Sequence, residues 1–451
     1  MAASPPNESG PSAGRPHLPM GFPGASGMLY FFFREILLSL PALLRARRDY
    51  RRALRENPHA EPWVACVSDN LDEINGIALA SRTQLRELRR QGRHAFLFGV
   101  AFHTRRPRRE EPDQSLMLAP GTYSVDQAGY SHSELAVVNL KAFLAFLREH
   151  PVDIIEFETP GPVTALCLMT ARILGIRTLS HYRTDILTYS EMLMKHRFGK
   201  FFVQTWTKVT TRVAGPVVVP SEAYRKKVAA MGVPPERIHK LPRGVDLGAF
   251  HPRHRDKPGW KEFGVPDDGF LLLYVGRISA EKNLGTLAEA FLDALQRKPD
   301  LRLIVVGDGP YRDALESRLG PCGHAHFTGV LNGEMLARAF ASADLFVFPS
   351  LTDTFGNSVI EALASGLPCL VSDEGGPREI IVPGVCGEMF HNQEPLSLRD
   401  GILSLAGDPG RLERYRAAAR TRAEEFTYEN SAQAFWNLYT SLWKSTPEKG
   451  I

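Results

Sequence analysis

Short apolar runs alternate with helix-period stretches along this chain in two separate series, and that rhythm constrains the fold more than any other feature. The first series opens at Trp63-Val-Ala-Cys-Val67, a strand pattern ending in Ser68-Asp69. Leu79, Leu85 and Leu88 then place a helix over 78–91, stopped by Gly92. Strands follow at 94–100, 152–156, 178–180 and 215–220, with helices over 136–150 and 164–174 and one running from 220 to Met231. The second series has strands at 270–275, 301–306, 325–327, 344–348 and 368–372, with helices in the gaps. Strands that alternate with helices build a mostly parallel sheet covered on both faces. The chain is therefore expected to be α/β, with two doubly wound, Rossmann-like domains and the ligand in the crevice where strand carboxyl ends face each other.

The boundaries follow from composition. Pro252, Pro258 and Pro266 among many charges place a linker at 251–268, between an N-terminal domain at 61–250 and a C-terminal domain at 269–409. Residues 410–446 are helical, and Phe435, Trp436, Leu438, Tyr439, Leu442 and Trp443 form a wide apolar face. No strand remains for that face to cover, so it is expected to cross back to the first domain. Residues 1–27, rich in Pro, Gly, Ser and Ala, read as a disordered lead-in.

Residues 28–60 differ from both neighbours. Met28-Leu-Tyr-Phe-Phe-Phe33 is apolar, Arg34-Glu35 interrupts, and the apolar character resumes to Leu44 before Arg45, Arg47, Arg48, Arg51, Arg52 and Arg55. The unbroken run is shorter than the ~18 residues a spanning helix needs. The positive charge follows the apolar part, the reverse of a signal peptide. Two readings stay open: contact of 28–55 with an anionic leaflet, or a helix packed on the protein's own body with its arginines solvated.

Charge and cysteine usage exclude other classes. Over 451 residues the formal net charge is +4, too weak a signal for nucleic acid. The five cysteines are odd in number and show no metal-ligand spacing, which suits buried thiols in a reducing cytoplasm.

Three clusters carry the chemistry. In Ser350-Leu-Thr-Asp-Thr-Phe-Gly-Asn-Ser-Val-Ile-Glu361 a strand ends, a loop holds Asp353, Gly356 and Asn357, and a helix opens whose backbone N–H groups can grip ligand oxygens. Glu361 lies one turn in, where a carboxylate can accept from vicinal hydroxyls. In Val275-Gly-Arg-Ile-Ser-Ala-Glu-Lys-Asn283, Arg277 and Lys282 follow a strand end directly, and two cations there suit a diphosphate. Gly307-Asp-Gly-Pro310 and Gly329 lie at neighbouring strand ends. The third cluster, Ser68 to Ile77, sets Asn75-Gly76 before the first helix, where Gly lets the backbone approach a phosphate. It is not G-x-G-x-x-G, so a nicotinamide fingerprint is absent.

Together with Ser180-His-Tyr-Arg-Thr-Asp-Ile186 and Pro242-Arg-Gly-Val-Asp-Leu247, these clusters resemble the GT-B glycosyltransferases, specifically the large retaining family 4, over residues ~62–445. Within it the chain looks closest to members that glycosylate membrane lipids. The resemblance implies a cytoplasmic hexosyltransferase, peripheral on the inner face of the cell membrane if 28–55 touches it. A UDP- or GDP-sugar would be the donor and a lipid or glycolipid the acceptor, with neither cofactor nor metal. It further implies that Arg277 and Lys282 hold the diphosphate beside Gly276, and that Glu361 binds the ribose. Asp353 and the backbone of Phe355, Gly356 and Asn357 would hold the sugar, and Gly329, Val330 and Leu331 would line the base pocket. Asn75 and Gly76 would face the diphosphate. Asp185 would join Arg277, Lys282 and Asp353 as catalytic groups.

Two positions depart from the family pattern. The family's E-x7-E begins here with the shorter Asp353, and its His-Thr-Asp reads Arg183-Thr-Asp185, with a longer cation aimed at a phosphate or an anionic sugar. The acceptor side is expected around 100–135, where Arg105-Arg-Pro-Arg-Arg109 makes a charged loop. A soluble polysaccharide or small-molecule acceptor, and a nucleotide-sugar-binding protein without catalysis, are the competing functions.

Overall fold

The computed structural model describes residues 24–56, 58–69, 71–72, 76–101, 108–111, 114–126, 134–194, 197–256, 260–261, 265–266, 269–392 and 394–445. Residues 1–23, Asn75 and residues 105–107 lie outside them.

The first sheet contains β1 (Val64–Val67), β2 (Ala95–Ala101), β3 (Arg108–Glu110), β4 (Leu116–Asp126), β5 (Glu134–Val138), β6 (Ile154–Phe157), β7 (Arg177–His181), β8 (Val217–Val219) and β9 (Ile238–Lys240). Their order is β3-β4-β2-β1-β6-β7-β8-β9, with β5 paired to β4. The second contains β10 (Phe270–Val275), β11 (Leu301–Val306), β12 (Ala325–Gly329), β13 (Leu345–Phe348), β14 (Cys369–Ser372) and β15 (Gly387–Phe390), in the order β12-β11-β10-β13-β14-β15. The second sheet is parallel throughout. In both sheets strand order reverses beside the first strand, at β1 between β2 and β6 and at β10 between β11 and β13. Such reversals open a crevice at the strand carboxyl ends.

The helices are α1 (Gly24–Glu56), α2 (Gly76–Arg90), α3 (Leu140–Glu149), α4 (Pro162–Leu174), α5 (Ile186–Leu193), α6 (Arg197–Val213), α7 (Glu222–Ala230), α8 (Leu284–Arg297), α9 (Arg312–Leu319), α10 (Gly333–Ser342), α11 (Asn357–Ala364), α12 (Pro395–Ala406), α13 (Pro409–Ala423) and α14 (Tyr428–Lys444).

Two local expectations change. Residues 136–138, expected in a helix, belong to β5, and α3 starts only at Leu140, where the Asn139 side chain accepts from Lys141 N at 3.0 Å. Two β-branched residues, Val137 and Val138, favour the strand there. Pro120-Gly121 lies inside β4. Residues 116–120 pair with β2 in parallel, while 121–126 pair with β5 in antiparallel, so the proline sits where the strand changes partner. Gly24 to Gly27, expected in the lead-in, form the first turn of α1.

The chain enters the second domain's core before the expected linker. Val245 joins that core and bridges to Thr427, and Trp260 and Val265 from within 251–268 are buried in the same cluster. At the other end, α14 returns to the first domain, where Phe435, Trp436 and Tyr439 pack with Val64, Leu97 and Leu179.

Helix α1 is long and apolar enough, by length and composition, to cross a membrane. It nevertheless lies along the first domain. Glu35, Ser39, Leu43 and Tyr50 are buried, the Tyr50 hydroxyl donates to the Val152 carbonyl at 2.6 Å, and Phe31 stacks on Tyr123. These residues mark one stripe of the helix, and the opposite stripe leaves Leu29, Phe33, Leu37 and Leu44 exposed.

Candidate functional site

The second domain supplies the site's charged floor. β10 ends at Val275, Gly276 and Arg277 follow it directly, and a short helical turn carries Lys282. β13 ends at Phe348 and runs through a loop into α11. Lys282 Nζ reaches across to Asp353, 2.9 Å from Oδ1 and 2.8 Å from Oδ2. The shorter carboxylate thus meets Lys282 directly. The Arg277 carbonyl accepts from the buried Tyr274 hydroxyl at 2.8 Å, which ties the loop to its strand. Close approach of neighbouring strand ends requires Gly307, whose φ is +134° and whose added Cβ would collide with the Gly276 carbonyl.

Gly356, at φ +104°, turns the chain into α11 in a left-handed conformation that a side chain would strain. Phe355 is buried against Phe426 and anchors that turn. Glu361, one turn further on, is half-buried, and its carboxylate has no hydrogen bond or ion pair among the described residues. Burial alone pushes its carboxyl up to about 7. Gly329 accepts from Gly307 N at 2.8 Å, followed by exposed Val330 and buried Leu331.

The first domain meets this floor through backbone and network contacts. Asp185 is buried and caps α5, accepting from Thr188 N at 3.2 Å and ion-paired with Lys227. The Tyr224 hydroxyl lies 3.0 Å from Asp185 Oδ2 and 2.9 Å from the Thr352 carbonyl of the facing domain. Asp185 is thus linked to the facing domain through Tyr224. Thr354 Oγ1 donates to the Arg183 carbonyl at 3.0 Å. Glu379 of the second domain accepts from Glu222 N and Ala223 N, at 2.8 and 2.9 Å, at the start of α7. Ser221, the residue that begins that helix, makes no side-chain cap of its own. α2 begins at Gly76.

Arg183 corrects its expected role. Its guanidinium, expected to aim at a phosphate or an anionic sugar, is sealed inside the first domain, 2.6 Å from Glu158 and 2.9 Å from Gln84 Oε1. Burial pulls its pKa down, and Glu158 and Glu156 more than offset this, so the charge is kept. The neighbouring His181 Nδ1 lies 2.8 Å from Glu156 Oε1, and burial pushes Glu156 up and His181 well down. The Tyr439 hydroxyl from α14 donates to Glu156 and accepts from Gln84 at 3.0 Å. Two acidic residues on a buried strand end, Glu156 and Glu158, were the available signal that a cation must be drawn inward.

Two further features escape sequence reasoning. Arg243, in the Pro242-Arg-Gly-Val-Asp-Leu247 motif, bridges the domains, 3.4 Å from Asn357 Oδ1 and 3.3 Å from the Arg183 carbonyl. Burial and the adjacent Arg183 push it down to about 9. Cys66, Glu156 and Glu158 come within 4.8 Å of one another, a grouping that only the fold creates, and Arg183 already occupies Glu158. On the rim, Arg108 and Arg109 sit on β3 in exposed ion pairs with Asp72 and Glu149.

Residues 260–422 match the family model described as Glycosyl transferases group 1, and residues 74–249 that of Glycosyltransferase Family 4. A GDP-mannose-dependent alpha-mannosyltransferase from Mycobacterium tuberculosis is 31% identical over 364 residues, spanning 79% of this chain and 90% of that protein. An alpha-monoglucosyldiacylglycerol synthase from Streptococcus pneumoniae is 27% identical over 337 residues, 72% of this chain and 74% of that one. Among solved structures, a sucrose-phosphate synthase from Thermosynechococcus elongatus superimposes with a TM-score of 0.69 at 19% identity. It covers 85% of this chain and 100% of its own.

Proposed function

This chain belongs to glycosyltransferase family 4 and is a glycosyltransferase with the GT-B fold, and from that premise we propose that it moves a hexose from a nucleoside diphosphate sugar to a membrane lipid or glycolipid, with retention and without a metal. The observation that carries the reading is the placement of Glu361. This half-buried, unpaired carboxylate stands one turn into the helix behind the Lys282–Asp353 pair, where a diol must replace lost hydration.

Arg277 and Lys282 hold the diphosphate, Glu361 accepts from the ribose hydroxyls, and Asp353 with the Phe355–Asn357 backbone orients the hexose. Gly329, Val330 and Leu331 line the base pocket. As the anomeric C–O bond breaks, its electron pair goes to the leaving phosphate oxygen. The fixed cations and the start of α2 at Gly76 stabilise the charge that develops there. The acceptor hydroxyl attacks from the same face and passes its proton to that oxygen, leaving a glycoside and a nucleoside diphosphate. Fixed cations supply the charge stabilisation that a metal would otherwise give.

The relatives support GDP-mannose as the first donor to try and a diacylglycerol-type acceptor as the first lipid class. The test incubates the protein with labelled GDP- and UDP-hexoses and membrane extract, with and without EDTA. Label should enter the organic phase with one donor, equally with chelator. No transfer to lipid with any donor overturns the proposal.

A further inference from the structure

Helix α6 has its faces reversed. Thr207, Thr210 and Thr211 are its buried residues, while Phe198, Phe201 and Phe202 stand 82%, 67% and 48% exposed. A helix shaped for water turns its rings inward and its hydroxyls outward. The rings fall at i, i+3 and i+4, so they share one face.

That face continues onto α1. Phe202 stacks on Trp206 at 6.0 Å between centroids, and the Trp206 ring meets Phe32 of α1 edge-on at 6.0 Å. Trp206 Nε1 donates to the Pro160 carbonyl at 2.6 Å, which fixes the indole between the two helices. Beyond it lie the exposed Leu29, Phe33 and Leu37 of α1. Cations border the surface. α6 carries Arg197, Lys208 and Arg212, with Lys200 ion-paired to Glu191 of α5, and no carboxylate of its own, and the far half of α1 exposes Arg45, Arg47, Arg48 and Arg52.

We propose that the outer faces of α6 and α1 form one continuous surface that seats on an anionic lipid leaflet. The rings of α6 enter at the headgroup–acyl boundary, and the arginines of α1 bind the lipid phosphates. Charge selects this occupant over a second copy of the chain. A self-paired interface would set cation-rich, carboxylate-free α6 against like charge, whereas an anionic leaflet complements it. The packed stripe of α1 keeps that helix lying along the domain, parallel to such a surface. α6 follows on α5, whose capping Asp185 is linked through Tyr224 to Thr352, so one short helix connects the seated surface to the contact between the domains. The inference extends the lipid-acceptor reading, and its test reads vesicle binding instead of transfer, so the two fail separately.

The test sediments the 451-residue chain with phosphatidylcholine vesicles with and without phosphatidylglycerol. Binding should require phosphatidylglycerol and weaken with salt. Phe198→Ser with Phe201→Ser should lower vesicle affinity about tenfold or more while the melting temperature holds, because both rings lie in water. Arg45→Glu with Arg48→Glu, a second and independent pair, should lower it similarly and flatten the salt dependence. Brominated lipid should quench tryptophan fluorescence, and Trp206→Phe should remove most of that quenching. Equal binding to both vesicle types, ring variants that bind as wild type, or ring variants that convert a dimer to a monomer in sedimentation velocity would each overturn the proposal.

Discussion

Lys282 donates to both carboxylate oxygens of Asp353, so a cation and an acid from two different strand ends are already joined before any donor arrives. On the proposed reading, a diphosphate entering beside them would compete for the lysine's protons and leave Asp353 oriented toward the sugar. Lys282→Ala should weaken nucleoside diphosphate binding about tenfold or more, the equivalent of a charge-assisted hydrogen bond of ~1.5–3 kcal/mol. Calorimetric titration with GDP and UDP reads this, and unchanged affinity for both would place the diphosphate elsewhere.

Glu361 makes stability depend on pH. Its carboxyl rises from the usual 4.5 to about 7 in the folded chain through burial. A raised pKa contributes stability that is complete below about 4.5 and is lost as pH climbs through about 7. Glu361→Gln should therefore be more stable than the parent at pH 8.5 by about 1–3 kcal/mol, a range lowered for partial exposure. The advantage should shrink toward pH 4.5. Urea melts across that window test the sign, and the same variant should bind donor more weakly because an amide accepts less strongly from a diol.

Arg183→Met should destabilise the fold by about 3–5 kcal/mol, since Glu158 would be left buried without its cation. If the residue held donor instead, the melting temperature would stay and KM for the nucleotide sugar would rise. Thermal melts and steady-state kinetics on one preparation separate these outcomes.

Glu379→Ala removes a helix cap that crosses between domains. The expected loss is about 0.5–2 kcal/mol. It should appear as a looser domain arrangement, with a larger radius of gyration by small-angle scattering and faster amide exchange at the start of α7. No change in either would show that the contact contributes nothing to docking.

Much of the fold was legible because buried parallel strands are short apolar runs ending in Gly, Ser or Asp. β10, β11 and β13 announce themselves in that way, and so do the loops that carry Arg277, Lys282 and Asp353. β4 was hidden because its Pro120-Gly121 marks a change of partner strand, and pairing partners are not written locally. The β5–α3 boundary was misplaced because apolar residues suit either period over so short a span. Arg183 was misjudged because position in a motif says nothing of which way a long side chain turns.

The order of strands and helices, the two-domain plan and the residue types available at the strand ends all follow from the sequence, since each rests on neighbours within a few residues. Where Arg183 sends its charge, that Arg243 bridges the domains, that Glu379 caps a helix it is far from in sequence, and that α6 turns its rings outward were settled only by tertiary structure. Burial and ion pairing depend on which surfaces meet, and those surfaces come together from residues 60 to 157 positions apart, as with Arg243 to Arg183 and Glu379 to Glu222.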